Sequence, residues 1–318
     1  MKHKQSWLQL HTILTGAMMG AADLVPGISG GTVALLSGIY GRLLGAISRI
    51  DLHFFKLVFS GQLIKAWSYV DATMLVNLAL GMGLSLLLLA KLISWLLLTQ
   101  PLLMWSLFLG LILVASGMLL RELSQHKVLK LGWLMWGLLI SITLASMPMV
   151  NQISGYSGWG YLWLMGAGAL AISAMILPGV SGSFILLLLG VYPFLIGRLA
   201  ALDLQVIVIF ALGCGLGLLI FSRFISYLLR QYVGPVMSLL AGLMMGSTLK
   251  LWPWKQTLSY RLNSAGEEVP LQQENLSPWI YSQMTGQDNQ LLWCLLVFAA
   301  AGLLVALCGR IKLQDLDA

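Results

Sequence analysis

The pattern Pro-Gly-x-Ser-Gly occurs twice, as Pro26-Gly27-Ile28-Ser29-Gly30 and Pro178-Gly179-Val180-Ser181-Gly182, each inside a long apolar run. Proline removes a backbone donor and glycine permits a turn, so both read as breaks between half helices. After each break the chain supplies Ser29, Gly30, Gly31 and Thr32 in one copy and Ser181, Gly182 and Ser183 in the other. Helix N-termini present unpaired N–H groups and a positive dipole end, glycine lets an anion approach the backbone, and hydroxyls add donors. Two such ends facing one another would bind an anion. The competing reading is close packing of helices through small residues.

Ionisable residues within apolar segments extend the anion reading. Lys91 and Arg223 each lie within a span, where a charge costs on the order of 3 kcal/mol and calls for a partner or a water-filled surround. Either can serve as counter-charge to a bound anion or can snorkel to an interface. Arg42 and Arg198 close the two motif segments and are further candidates for phosphate or ordinary positive flanks. Asp23 is the acidic residue deep in the first segment, and Met175 stands at its place in the second. A carboxylate at that depth can carry a proton, ligate sodium, or cap a helix.

Gly27-x-Ser29-x-Gly31 matches a hydrolase nucleophile pattern. It needs a base near the serine. His3, His11, His53 and His126 fall at the N-terminus or in expected loops, and Ser183 breaks the pattern in the second copy. An enzyme is therefore not expected, and no cofactor or metal is called for. Cys214, Cys294 and Cys308 lack metal-ligand spacing and read as packing residues.

The elements that must position these residues are membrane helices. Of 318 residues 59% are hydrophobic and 9% charged, against roughly 25% charged in soluble domains. The net charge of +7 accordingly points to loops facing anionic membrane lipid and not to nucleic acid. With about 20 apolar residues per span, candidate segments run from about 12 to 47, 72 to 98, 102 to 120, 132 to 150, 161 to 198, 205 to 229, 234 to 252 and 290 to 308. The two longest carry the motifs. Lys2 and Lys4 precede the first, and Arg42, Arg49, Lys56 and Lys65 follow it, so both of its ends are expected at the cytoplasmic face, as in a re-entrant hairpin. Continuing the count places Arg121, Lys127, Lys130, Arg230, Arg310 and Lys312 inside, and the polar loop from about 253 to 290 outside.

The duplication runs beyond the motifs. Ala22 to Tyr40 matches Ala174 to Tyr192 at an offset of 152, and Leu80 to Leu97 matches Leu212 to Leu229 at an offset of 132. The expected fold is an all-α polytopic membrane protein of two inverted repeats, each a re-entrant broken-helix hairpin plus two spans. The first repeat covers 1–125, a linking helix lies in 126–155, the inverted second repeat covers 156–255, and 256–318 holds an extracytoplasmic loop and a last span. Inverted repeats with broken helices meeting near the midplane are a transporter architecture.

The stretches "ADLVPGISGGTVALLSGIYGRLL" and "LPGVSGSFILLLLGVY" resemble the PopT-type polyprenyl-phosphate transporter family, a bacterial membrane domain long of unknown function. The resemblance covers nearly the whole chain; the second motif departs from the first at Ser183 and Phe194, where the first has Gly31 and Arg42. It implies return of undecaprenyl phosphate from the outer to the inner leaflet of the bacterial cytoplasmic membrane, while the lysine and arginine count places both chain termini on the cytoplasmic side. An anion channel or other small-anion secondary transporter using the same helix ends is the alternative.

Overall fold

The computed structural model describes residues 2–23, 29–146, 159–262 and 268–308. Pro26 and Gly27 of the first motif lie outside the described residues. Fifteen α-helices are described: α1 Lys2–Asp23, α2 Gly30–Leu36, α3 Tyr40–Ser48, α4 Leu52–Phe59, α5 Leu63–Tyr69, α6 Ala72–Thr99, α7 Pro101–Gln125, α8 Leu131–Ser146, α9 Trp159–Ile176, α10 Gly182–Leu188, α11 Tyr192–Ala200, α12 Leu204–Gln231, α13 Val233–Ser247, α14 Pro278–Thr285 and α15 Leu291–Cys308. Among the described residues, four helical stretches are long and apolar enough to cross a membrane, within α6, α7, α12 and α13 with the 3-10 turn that follows it. Shorter apolar helices lie within α8, α9 and α15.

Each motif segment breaks twice, where one break is expected from sequence. The second break falls at Gly38 and Gly190, which adopt left-handed φ values of 70° and 68° that disfavour a side chain. At the first of these, α2 and α3 meet at a bend of 118°. The first segment is thus a long helix, a short buried helix and a third helix turned away from it. Its opening helix also begins near Lys2, ten residues before the expected start.

The duplication is visible in atomic packing. A Cβ on Gly81 of α6 would collide with the Ile13 carbonyl oxygen of α1, and one on Gly213 of α12 would collide with the Met165 carbonyl oxygen of α9. These contacts are related by the two sequence offsets, 132 and 152. Gly16 against Leu78 and Gly168 against Phe210 repeat the correspondence from the other side. Backbones this close require small residues, which is how α1 packs on α6 and α9 on α12.

The helices expected to stand outside the repeats also match one another. α8 packs on α13 and α15 on α7. Gly242 of α13 meets the Leu134 carbonyl of α8, and Gly110 of α7, its counterpart in the alignment, meets the Phe298 carbonyl of α15. Each half thus sends a helix to the other half, which ties the two together.

Two regions expected as loops are structured. The chain from 52 to 69 forms α4 and α5, whose exposed apolar side chains Leu52, Phe59 and Ile64 accompany Lys56 and Lys65. Short apolar helices that carry a lysine suit a membrane interface. The polar region after α13 forms an antiparallel hairpin, β1 Lys255–Leu262 and β2 Glu268–Asn275, followed by α14, so the fold is mostly but not wholly helical. Trp254 and Tyr281 anchor this cap on Leu102 and Cys294 at the ends of α7 and α15. The Lys255 ammonium lies 4.2 Å from the centre of the Trp105 ring, and burial lowers its pKa to about 8.

Candidate functional site

The two motif tips meet. The Ser29 hydroxyl donates to the Met175 carbonyl at 2.5 Å, and the Gly179 N–H donates to the Thr32 hydroxyl at 3.1 Å. Both bonds join residues of opposite halves, well over a hundred positions apart. Gly31 permits the approach, since a Cβ there would strike the Ile176 carbonyl at the end of α9. Ser29, Gly30, Gly31 and Thr32 are all buried, as are Pro178, Gly179, Ser181 and Gly182. Gly179 has φ +83°, and a Cβ on it would lie 2.8 Å from the Met244 α-carbon of α13, so the second turn leans on a central helix. Non-helical backbone at membrane depth is tolerated where protein surrounds it or a cavity opens beside it, and here protein supplies much of the surround.

At the first tip the chain supplies its own anion. Asp23, the last residue of α1, accepts the Gly30 N–H at 2.7 Å through its carboxylate. Ser29 caps the next donor, taking the Gly31 N–H on its hydroxyl at 3.1 Å. A carboxylate on the leading N–H of a half helix is favoured by both the hydrogen bond and the local dipole. A ligand anion reaching these groups would take the place of Asp23.

The second tip has the same geometry with different chemistry. A Cβ on Gly30 would lie 2.8 Å from Asp23 Oδ2, while one on Gly182 would lie 2.5 Å from Met175 Cγ and 3.1 Å from its sulfur. Met175 thus occupies the place of Asp23 with a thioether. The Ser181 and Ser183 hydroxyls are 2.9 Å apart and share a hydrogen bond. Ser181 is buried and Ser183 is exposed.

The basic candidates lie elsewhere. Arg42 pairs with Asp71 at 2.6 Å and Arg198 with Asp203 at 3.2 Å. Arg198 also lies over the Phe194 ring, 5.3 Å from its centre. Asp71 and Asp203 are equivalent under the 132-residue offset and precede α6 and α12, so each half pins its third motif helix to the following span. That pairing was legible as an aspartate at the same place before both spans, although the two arginines are not at matching positions. Arg223 lies on α12 and donates to the Ser48 carbonyl at 3.2 Å and the Ile50 carbonyl at 2.6 Å, at the far end of α3 from the tips. Lys91 lies on α6, and its side chain is outside the described residues. The Ser29 hydroxyl donates to a backbone carbonyl in place of the base that nucleophilic catalysis would need.

The sites themselves thus define a multi-pass membrane protein in which two broken-helix tips meet in the interior. The chain belongs to the VCA0040-like family, described as undecaprenyl phosphate translocase-like, whose model matches residues 19–269. It is 44% identical over 296 residues to a polyprenyl-phosphate transporter of Vibrio cholerae serotype O1, covering 93% of this chain and 94% of that protein. It is 31% identical over 255 residues to a polyprenyl-phosphate transporter of Staphylococcus aureus, covering 76% of this chain and 85% of that one. No solved structure matches.

Proposed function

We propose that this chain moves undecaprenyl phosphate or a related polyprenyl phosphate from the outer to the inner leaflet of the bacterial cytoplasmic membrane, returning the carrier lipid for reuse. The names of the two relatives and the family support the substrate class. The observation that carries the mechanism is the meeting of the two tips, Ser29 on Met175 and Thr32 on Gly179, with a carboxylate already on the leading N–H of one of them. The halves are inverted repeats that rock about this junction and expose it to each leaflet in turn. The head group is received by the serine hydroxyls and backbone N–H groups of the tips while the isoprenoid tail stays in lipid.

Asp23 makes the exchange conditional. With its carboxylate charged it holds the Gly30 N–H, and a phosphate is repelled. Protonation gives up that negative charge and opens the first tip to the phosphate. Inward movement of negative charge against an inside-negative potential costs about 2.3 kcal/mol per charge per 100 mV, and a proton carried with the lipid offsets part of that cost. Both termini are cytoplasmic in this scheme, in accord with the distribution of lysine and arginine.

The test is transport by purified protein in liposomes carrying a fluorescent polyprenyl phosphate, with leaflet exposure read by a membrane-impermeant quencher. Exchange is expected to rise with protein and to respond to an imposed proton gradient. Anion conductance without lipid movement would overturn the transport reading in favour of a channel.

A further inference from the structure

The arginine that the tips do not use lies in a crevice of its own. It is about 200 Å³ in volume and lined by Ser48, Arg223, Ser226, Tyr227 and Arg230, well above the ~10–15 Å³ that admits a water molecule. Four of these residues come from α12 at spacings of three, four and seven from Arg223, which puts them along one helix face. The fifth, Ser48, is the last residue of α3. No acidic residue is among the five. Ser226 also lines the crevice, and its hydroxyl is buried with no hydrogen-bond partner among the described residues. Arg223 spends two of its N–H groups on the carbonyls that end α3 and retains others.

Its surroundings are those of a lipid surface. Ile50, which accepts from Arg223, leads directly into α4 with its exposed Leu52 and Phe59, the helix suited to a membrane interface. On α12 itself Ile220 and Phe224, next to Arg223, are exposed. A head group in the crevice would therefore have hydrocarbon-facing surface beside it for a tail. Asp51, the acid that follows Ile50, is engaged by the Phe54 N–H at 2.9 Å and the Tyr69 hydroxyl at 3.0 Å.

We propose that this crevice is a second, peripheral site for the phosphomonoester head group of a lipid, separate from the tips and placed where α3 and α12 reach the membrane surface. Two guanidiniums match a phosphomonoester, which carries about −1.5 to −2 charges and three acceptor oxygens at neutral pH, better than a singly charged phosphodiester. The identity of its lipid as the transported substrate rests on the function proposed above. Arg223 then acts at a junction: a head group there competes with the α3 carbonyls for the guanidinium, linking occupancy to the contact between α3 of one half and α12 of the other.

The experiment uses the full chain in phosphatidylcholine nanodiscs and reads modification of individual arginines by phenylglyoxal with mass spectrometry. Farnesyl phosphate is expected to protect Arg223 and Arg230 while Arg121 labels as before. Arg230→Gln, a change at an exposed position, should shift protection of Arg223 to about tenfold higher farnesyl phosphate, as loss of one charge-assisted contact implies. Tyr227→Phe should weaken it less. Protection by inorganic phosphate at the same concentrations supports a phosphate site whose ligand is the free ion, with no contribution from the tail. Equal protection by phosphatidylglycerol in the disc, or none by any probe, overturns the proposal. Flux of polyprenyl phosphate in the same preparation separates the two readings. Flux without protection removes the crevice and leaves transport standing; protection without flux does the reverse.

Discussion

The two tips set equivalent glycines, Gly30 and Gly182, against unlike chemistry. Asp23 and Met175 stand at equivalent places against Gly30 and Gly182, yet one brings a carboxylate to a helix N-terminus and the other a thioether. The surroundings differ as well. Ala34, Leu35, Tyr40 and Leu44 of the first segment join the main core with residues of α7, α12 and α13, whereas Leu186, Val191 and Leu195 of the second pack in a separate cluster with α9 and α12. Duplication fixes where a side chain sits, and later substitution decides what it does there. One tip carries a carboxylate; the other has a thioether in its place and an exposed hydroxyl at Ser183. An anion carrier that must let go of its ligand gains from that inequality, because a built-in carboxylate can compete for the donors at one end and not the other.

The largest way to break the comparison is to part the tips. Gly31→Leu should abolish flux and reduce folded protein, because its side chain would enter the Ile176 backbone. Gly31→Ala should cost about 1–3 kcal/mol, the range for overpacking, read as a lower thermal midpoint in detergent; an unchanged midpoint with normal flux would mean that the tips do not meet.

Making the second tip like the first should have the next largest effect. Met175→Asp places a second carboxylate against a helix end, and like charge facing phosphate should cut flux per folded molecule by at least about tenfold. Asp23→Asn is the complementary change. It keeps size and hydrogen-bonding capacity while removing the charge, so flux per folded molecule should persist and lose its response to the proton gradient. If Asp23→Asn transports with the wild-type pH profile, Asp23 is a helix cap and nothing more.

Smaller losses distinguish the serines. Ser29→Ala removes a bond across the halves and the cap on Gly31, for about 1–3 kcal/mol. Ser181→Ala breaks the described bond to Ser183 and should cost less. Paired unfolding curves measure the difference, and equal losses would show that the cross-half bond adds nothing. The smallest effect is expected at the ion pairs. A double-mutant cycle on Arg42→Gln and Asp71→Asn should give a coupling of about 0–1 kcal/mol, as for exposed pairs; a coupling beyond that would make the pair a structural strut and not a flank.

Much of the architecture is legible in the sequence because a membrane imposes simple demands. Apolar length marks α6, α7, α12 and α13, and the repeated Pro-Gly marks the tips, since few residues other than these interrupt a helix where no water can satisfy its backbone. Asp23 stood out as an acid without an acidic counterpart. The second break at Gly38 and Gly190 was present as a repeated Gly-x-Tyr, and only the second copy has a proline beside it, Pro193 in the first turn of α11. The swapped packing of α8 and α15 left little trace, because lipid-facing helices tolerate many apolar sequences. Their match appears in backbone approach at Gly110 and Gly242.

By itself the sequence determined that this chain lives in a membrane, is duplicated, and breaks its helices at two serine- and glycine-rich points. Only the tertiary structure decided which donors those breaks leave for a ligand. Hydrogen bonds between distant segments depend on where whole helices come to rest: Asp23 was drawn to Gly30, Ser29 to Met175, and Arg223 away to the end of α3. Residue type and spacing say what a group can do, and the packing of the two halves selects its partner.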